Sequence, residues 1–119
     1  MEAWSIDAEL IEPWVASLDE DSRAQLFAAI EVLQAAGPQL GRPLVDTVTA
    51  SRHRNMKELR PGSSGRSELR VLFAFDPERR VIMLVVGDKA RNWARWYKVN
   101  IPVADDLFDE HGRRLRGSD

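Results

Sequence analysis

The chain has 119 residues, 44% of them apolar and 30% charged, which suits a globular domain with one hydrophobic core and not a disordered chain. It has no cysteine, so disulfides, thiolate zinc sites and a cysteine nucleophile are excluded. The net charge of −2 hides a segregation: residues 1–51 carry two Lys/Arg against nine Asp/Glu, residues 52–98 twelve against five, and residues 99–119 three against five. A basic middle attracts polyanions, phosphate backbones foremost; the competing reading is a solvated face balanced by the acidic block once folded. The acidic start, Met1-Glu2-Ala3-Trp4, has no apolar signal core, and the longest apolar run, 81–86, is too short to span a membrane. A single cytoplasmic domain over 1–119 is expected.

In chain order, Trp4-Ser5-Ile6 reads as a short opening strand, and Asp7 as a helix cap. A first helix is expected over 8–18, with Pro13 better placed in a first turn than in an interior. Asp19 or Asp21 caps a second helix, in which Leu26, Phe27, Ile30, Leu33 and Gln34 recur at three-to-four spacing until Gly37-Pro38 stops it. Residues 39–54 read as a polar, irregular connection containing Gly41 and Pro43. Three strands follow, at 56–60, 67–75 and 79–86, joined by turns rich in Gly, Ser, Pro and Asp. The third is continuously apolar, as in a strand covered on both faces. After Gly87 comes a helical stretch with Trp93, Trp96, Tyr97, Ile101, Leu107 and Phe108, which Pro102 should kink or restart. The fold class is α+β: a short strand, two helices, a three-stranded antiparallel meander and a terminal helix.

Strand alternation assigns the side chains to faces. Leu59, Leu69, Val71, Phe73 and Phe75 point to the two helices, leaving Met56, Glu58, Arg60, Glu68, Arg70 and Leu72 on the other side. Glu58, Arg60 and Arg70 thus share a face of adjacent strands, and the turn after Gly87 brings Lys89 and Arg91 to its rim. Such a cluster suits a phosphate; a plain cross-strand Glu58–Arg70 salt bridge fits the spacing equally.

The segments Met56-Lys57-Glu58-Leu59-Arg60, 68–76 (Glu-Leu-Arg-Val-Leu-Phe-Ala-Phe-Asp) and Val85-Val86-Gly87-Asp88-Lys89 resemble the RelE/ParE superfamily of bacterial toxins, in particular its phage-derived HigB-like branch. Trp96-Tyr97-Lys98 and Ile101-Pro102-Val103-Ala104-Asp105 extend the likeness over nearly the whole chain. The resemblance implies a type II toxin that cleaves messenger RNA on the ribosome. It also implies a cognate antitoxin, with a helix-turn-helix domain, that silences it. It places Arg70 on the scissile phosphate, Arg91 or Lys89 beside it, and Tyr97 in proton transfer or stacking. Arg60, Arg66, Lys57, Lys89 and Arg95 are the accompanying RNA-binding candidates. Some family members have lysines on the strand where this chain has Met56 and Glu58.

RNA cleavage without a metal needs only that the ribose 2′-hydroxyl lose its proton, the phosphorane charge be stabilised and the 5′-oxygen be protonated. Arg70 and Arg91 suit the second task. Glu58 is the economical base, weakened by neighbouring arginines, with Tyr97 or His53 as acids. The 2′-hydroxyl requirement implies that DNA is not cut. No cofactor or metal is expected. His53 reads first as a surface loop histidine and His111 as solvated tail, while Trp93 and Trp96 read as packing residues before base platforms. Two other readings stand: a non-catalytic toxin acting on a protein such as gyrase, and a decayed toxin that only binds its antitoxin.

Overall fold

The computed structural model describes residues 3–62, 68–88 and 92–117. Five strands form one sheet: β1 (Ser5–Asp7), β2 (Val45–Thr47), β3 (Met56–Leu59), β4 (Leu69–Phe75) and β5 (Arg80–Asp88), in the order β1-β5-β4-β3-β2. β2 to β5 pair antiparallel, and β1 returns parallel along β5, with Ile6 opposite Val81. One face carries the short α1 (Glu12–Ala16) and α2 (Glu20–Ala36); the other carries α3 (Trp93–Gly117).

The two faces follow from alternation along the strands. Leu59, Val71, Phe73 and Phe75 join Leu26, Ala29 and Leu33 of α2 in one core. Met56, Leu72, Ala74, Ile82 and Leu84 meet Ile101 and Ala104 of α3 in the second. A register shift at Leu72/Phe73 changes the phase of β5, so Val81, Met83 and Val86 lie on the α2 side. An uninterrupted apolar strand therefore serves both cores, as its sequence indicates. Phe73 has no exposed surface, so truncating it would cost about 3–5 kcal/mol, the range for an aromatic core cavity.

The helix ends are locally determined. Asp19, with extended backbone, caps α2 by accepting the Ser22 amide at 3.1 Å, which settles the choice between Asp19 and Asp21. Gly37 ends α2 at φ 63°, and a Cβ there would lie 2.5 Å from the Trp4 ring nitrogen, so both torsion and contact require glycine.

Four sequence expectations need correction. The expected first helix divides into a 3-10 turn, Glu9–Ile11, and α1, with Pro13 in the first turn of α1. Residues 45–47, read as irregular, form β2; three residues carry too little pattern to be recognised, and pairing with β3 makes the strand. Pro102 neither restarts nor ends α3, which runs through it to Gly117. Pro102 is exposed, and burial of Ile101 and Ala104 on the facing side holds the helix across it. The meander is accordingly the centre of a five-stranded sheet.

Candidate functional site

β3, β4 and the second turn of α3 converge on Glu58. It is 4% exposed, lies on the α3 face and stands opposite Leu72 on β4 and Asp46 on β2. The Tyr97 hydroxyl donates to Glu58 Oε1. Arg60 Nε donates to Oε2 at 3.3 Å, and Arg60 Nη2 reaches Asp46 Oδ2 at 3.1 Å. Arg70 Nε lies 3.5 Å from Glu58 Oε1 without hydrogen-bond geometry and is a buried donor with no partner. Its Nη1 donates to the Leu69 carbonyl at 2.7 Å, and Nη2 stands 3.9 Å from Glu68. Glu58, Arg60, Arg70 and Tyr97 thus form one constellation, and Asp46 joins it.

The register explains the convergence. Arg70 pairs with Gly87 of β5, and a Cβ on Gly87 would lie 2.3 Å from Trp96 Nε1. The missing side chain lets the Trp96 indole settle on the strand, which fixes the rotation of α3 and turns the adjacent Tyr97 to Glu58. Trp96 and Tyr97 meet edge to face at 5.2 Å. Asn92 closes the start of α3, its Oδ1 accepting the Arg95 amide at 3.1 Å.

Burial, then the hydrogen bond to Glu58 and its negative charge, push the Tyr97 pKa up to about 12, with Arg70 opposing. At neutral pH this hydroxyl is a proton donor, and any proton it accepts must be relayed onward to Glu58. An Arg donor without a partner beside it is the feature an anionic oxygen would satisfy.

The other expected site residues fall elsewhere. Lys57 alternates to the opposite face and donates to Thr47 Oγ1 at 2.9 Å. Arg95 is exposed, and at two residues' spacing it projects from a different side of α3 than Tyr97. Arg66, Lys89 and Arg91 lie outside the described residues. Asp46 and the Gly87–Trp96 seat were missed as site elements; Asp46 sits in the unrecognised strand, whereas the strand-ending glycine and the tryptophan were visible but not as a pair.

A second set of charges joins the sheet to the C-terminal half of α3. The Asp76 side chain is fully buried; it accepts from His111 Nε2 at 2.8 Å, from Arg80 Nε at 3.0 Å and from the amides of Glu78 and Arg80, both at 2.9 Å. Burial would raise its pKa, but these hydrogen bonds and the Arg80 charge hold it below the usual carboxylate value. Nearby, Arg52 binds Asp109 and, at 2.8 Å, Asp106, while His53 Nε2 contacts Asp109 Oδ1 at 2.8 Å. The hydrogen bond from Arg52, followed by that from His53, keeps Asp109 below its ordinary pKa.

The His111 expectation is corrected here, while His53 stays in the loop before β3. His111 is buried and hydrogen-bonded to Asp76 instead of lying in a solvated tail, because α3 continues past it and lays it over the β4–β5 turn. His53 is half-buried, edge-on to Phe108 at 5.0 Å, and is removed from Tyr97 by the ten α3 residues between Tyr97 and Phe108, about 16 Å of helix. A cleft of about 650 Å³ lies between them, bordered by Phe75, Pro77 and Leu115. Trp96 packs as expected, whereas Trp93 is 62% exposed and meets Tyr97 edge to face at 6.3 Å. Among the described residues, no group of three or more His, Asp or Glu is arranged to hold a metal ion, and no helix is long and apolar enough to cross a membrane.

The family model for phage-derived Gp49-like proteins matches residues 13–109. Two relatives from Mycobacterium tuberculosis are similar over most of the chain. "Putative toxin HigB2" is 58% identical over 108 residues, 91% of this chain and 54% of that protein. "Putative toxin HigB3" is 50% identical over 107 residues, 86% of this chain and 91% of that protein. The chain therefore spans about half the length of the first and nearly all of the second.

Proposed function

Since the chain belongs to the phage-derived Gp49-like family, we propose that it is a HigB-like toxin of a toxin–antitoxin pair. In this reading it is a metal-independent endoribonuclease that cuts messenger RNA on the ribosome, acts in the cytoplasm and is silenced by a helix-turn-helix antitoxin. The observation that carries the reading is the Arg70 guanidinium, whose buried Nε has no hydrogen-bond partner, beside the Tyr97–Glu58 pair. The toxin names of the two relatives support it.

The chemistry follows from the arrangement. The attacking group is the RNA's own 2′-hydroxyl. Its proton passes to the Tyr97 oxygen as Tyr97 gives its own proton to Glu58, so no free tyrosinate forms. The O2′–P bond forms and the P–O5′ bond breaks, and the 5′-oxygen takes the proton back through the same pair. The products are a 2′,3′-cyclic phosphate and a 5′-hydroxyl. Arg70 stabilises the phosphorane charge, and Arg91 is assigned to the same phosphate. Arg60 shares Glu58 with Arg70 and holds the carboxylate in place. Arg66 and Lys89 are assigned to more distant RNA phosphates, where loss of one contact weakens binding without stopping the chemistry.

The test is induced expression of the wild type and Arg70→Ala, with primer-extension mapping of cellular mRNA. New 5′ ends inside translated frames, absent for the variant, are expected. Growth arrest with intact mRNA would overturn the nuclease reading in favour of a protein target, and folded protein without arrest would leave a decayed toxin.

A further inference from the structure

Most ion pairs of the described residues involve the sheet and α3. Arg60 is matched by Asp46 and Glu58, Arg70 by Glu58 and Glu68, Arg80 by Asp76 and Glu78, and Arg52 by Asp105, Asp106 and Asp109. Four of the twelve basic residues of 52–98 are thus paired with carboxylates of the sheet and α3. The acidic block differs. Residues 9–36 hold six carboxylates and one basic residue, Arg23, which donates to the Val15, Ala16 and Leu18 carbonyls instead of to a carboxylate. Among the described residues, Glu12, Glu20, Asp21 and Glu31 form no ion pair, and all four are exposed.

The same surface is apolar where it should be polar. With Leu26, Ala29 and Leu33 of α2 buried on the sheet, helical spacing turns Ala24, Ala28 and Ala35 outward in a row. Phe27, 49% exposed, and Val32, 47% exposed, flank that row, and Glu20, Asp21 and Glu31 stand along it. Three alanines let another helix axis approach closely, and two larger side chains can grip it from either side.

We propose that this face of α2 docks a basic amphipathic helix of the antitoxin; the assignment of the partner rests on the toxin reading above. The charge decides the class of occupant. An RNA strand would be repelled, and a second copy of the chain would bring its own carboxylates against these. A helix with an apolar stripe flanked by Lys and Arg satisfies both the alanine row and the carboxylates. The face lies across the sheet from Tyr97 and Arg70, so a helix bound there leaves the constellation uncovered.

The experiment co-expresses the full chain with the product of the reading frame adjacent to its gene and measures affinity by calorimetry at two salt concentrations. The doubly reversed variant Glu20→Arg/Glu31→Arg and the variant Phe27→Ser are each expected to weaken the complex at least about thirtyfold, with melting temperatures near that of the wild type. Arg70→Ala and Trp93→Glu should leave affinity unchanged. In the unaltered complex, amide exchange should slow across α2. The opposite pattern, with affinity lost at Trp93 and α2 unprotected, overturns the proposal, as does a flanking product that does not bind the folded chain. Failure of the toxin reading shows separately, as absence of growth arrest by the unbound wild type while the complex still forms.

Discussion

The two ends of α3 are both fastened to the sheet by a buried carboxylate, yet they are built differently. At the C-terminal end Asp76 receives a histidine, an arginine and two backbone amides, so its oxygens are saturated. At the N-terminal end Glu58 receives Tyr97 and Arg60, while Arg70 stands beside it with Nε lacking a partner. Arg80 also has a nitrogen without a hydrogen bond, but it lies 3.3 Å from Glu78 at a saturated centre. A saturated carboxylate rigidifies; a shared one with a spare cation keeps capacity for an incoming anion. The comparison separates a structural clamp from a candidate site although both are composed of Asp/Glu, Arg and an aromatic or imidazole ring.

The largest expected effect tests the clamp. Asp76→Ala leaves His111 and Arg80 without their carboxylate and should destabilise the fold by about 3–5 kcal/mol, read by urea unfolding, without changing cleavage per folded molecule. Next comes the site. Arg70→Lys keeps the charge but loses the planar fork, and cleavage should fall by about 10²–10³-fold with a melting temperature close to the wild type. If cleavage tracks stability in both variants, the distinction between the ends fails.

Two pH effects of smaller size divide the same way. The folded pKa of Asp76 lies below 3.8, so its stabilisation is present above that value and disappears as pH falls through the folded pKa; Asp76→Asn should flatten this acid limb in circular dichroism melts. Tyr97 has the opposite sign. Its folded pKa of about 12 exceeds the ordinary 10.0, so its contribution is complete below pH 10 and lost as pH rises toward 12. Tyr97→Phe should remove that alkaline loss and slow cleavage at neutral pH. The smallest effect is Arg113→Ala, which removes an exposed ion pair with Glu110 and should leave the melting temperature near that of the wild type.

Much of the fold is legible in the chain because its elements carry strong local patterns. The Asp19 cap, the apolar spacing of α2, the Gly37 stop and the alternation of β3 and β4 each follow from a few neighbouring residues. β2 is not legible, since one apolar residue in three has no periodicity until β3 lies alongside it. The shared face of Glu58, Arg60 and Arg70 is readable from alternation by two, which is a property of the backbone. That Lys57 falls on the other face follows from the same rule, although the motif containing it suggests a contiguous basic segment.

What the sequence by itself determined is the order of elements, the faces of the central strands and the residues able to serve a phosphate. Its total and regional charge also belongs there, because composition is indifferent to folding. Tertiary structure alone decided which charges remain available. It drew His111 onto Asp76 and His53 onto Asp109, paired Arg52 and Arg60 with carboxylates of α3 and of β2 and β3, and left the carboxylates of α2 outward. The physical reason is range: torsional preference and hydrophobic period act over a few residues, whereas a hydrogen bond such as His111–Asp76 joins groups 35 residues apart and exists only once the sheet and α3 have packed.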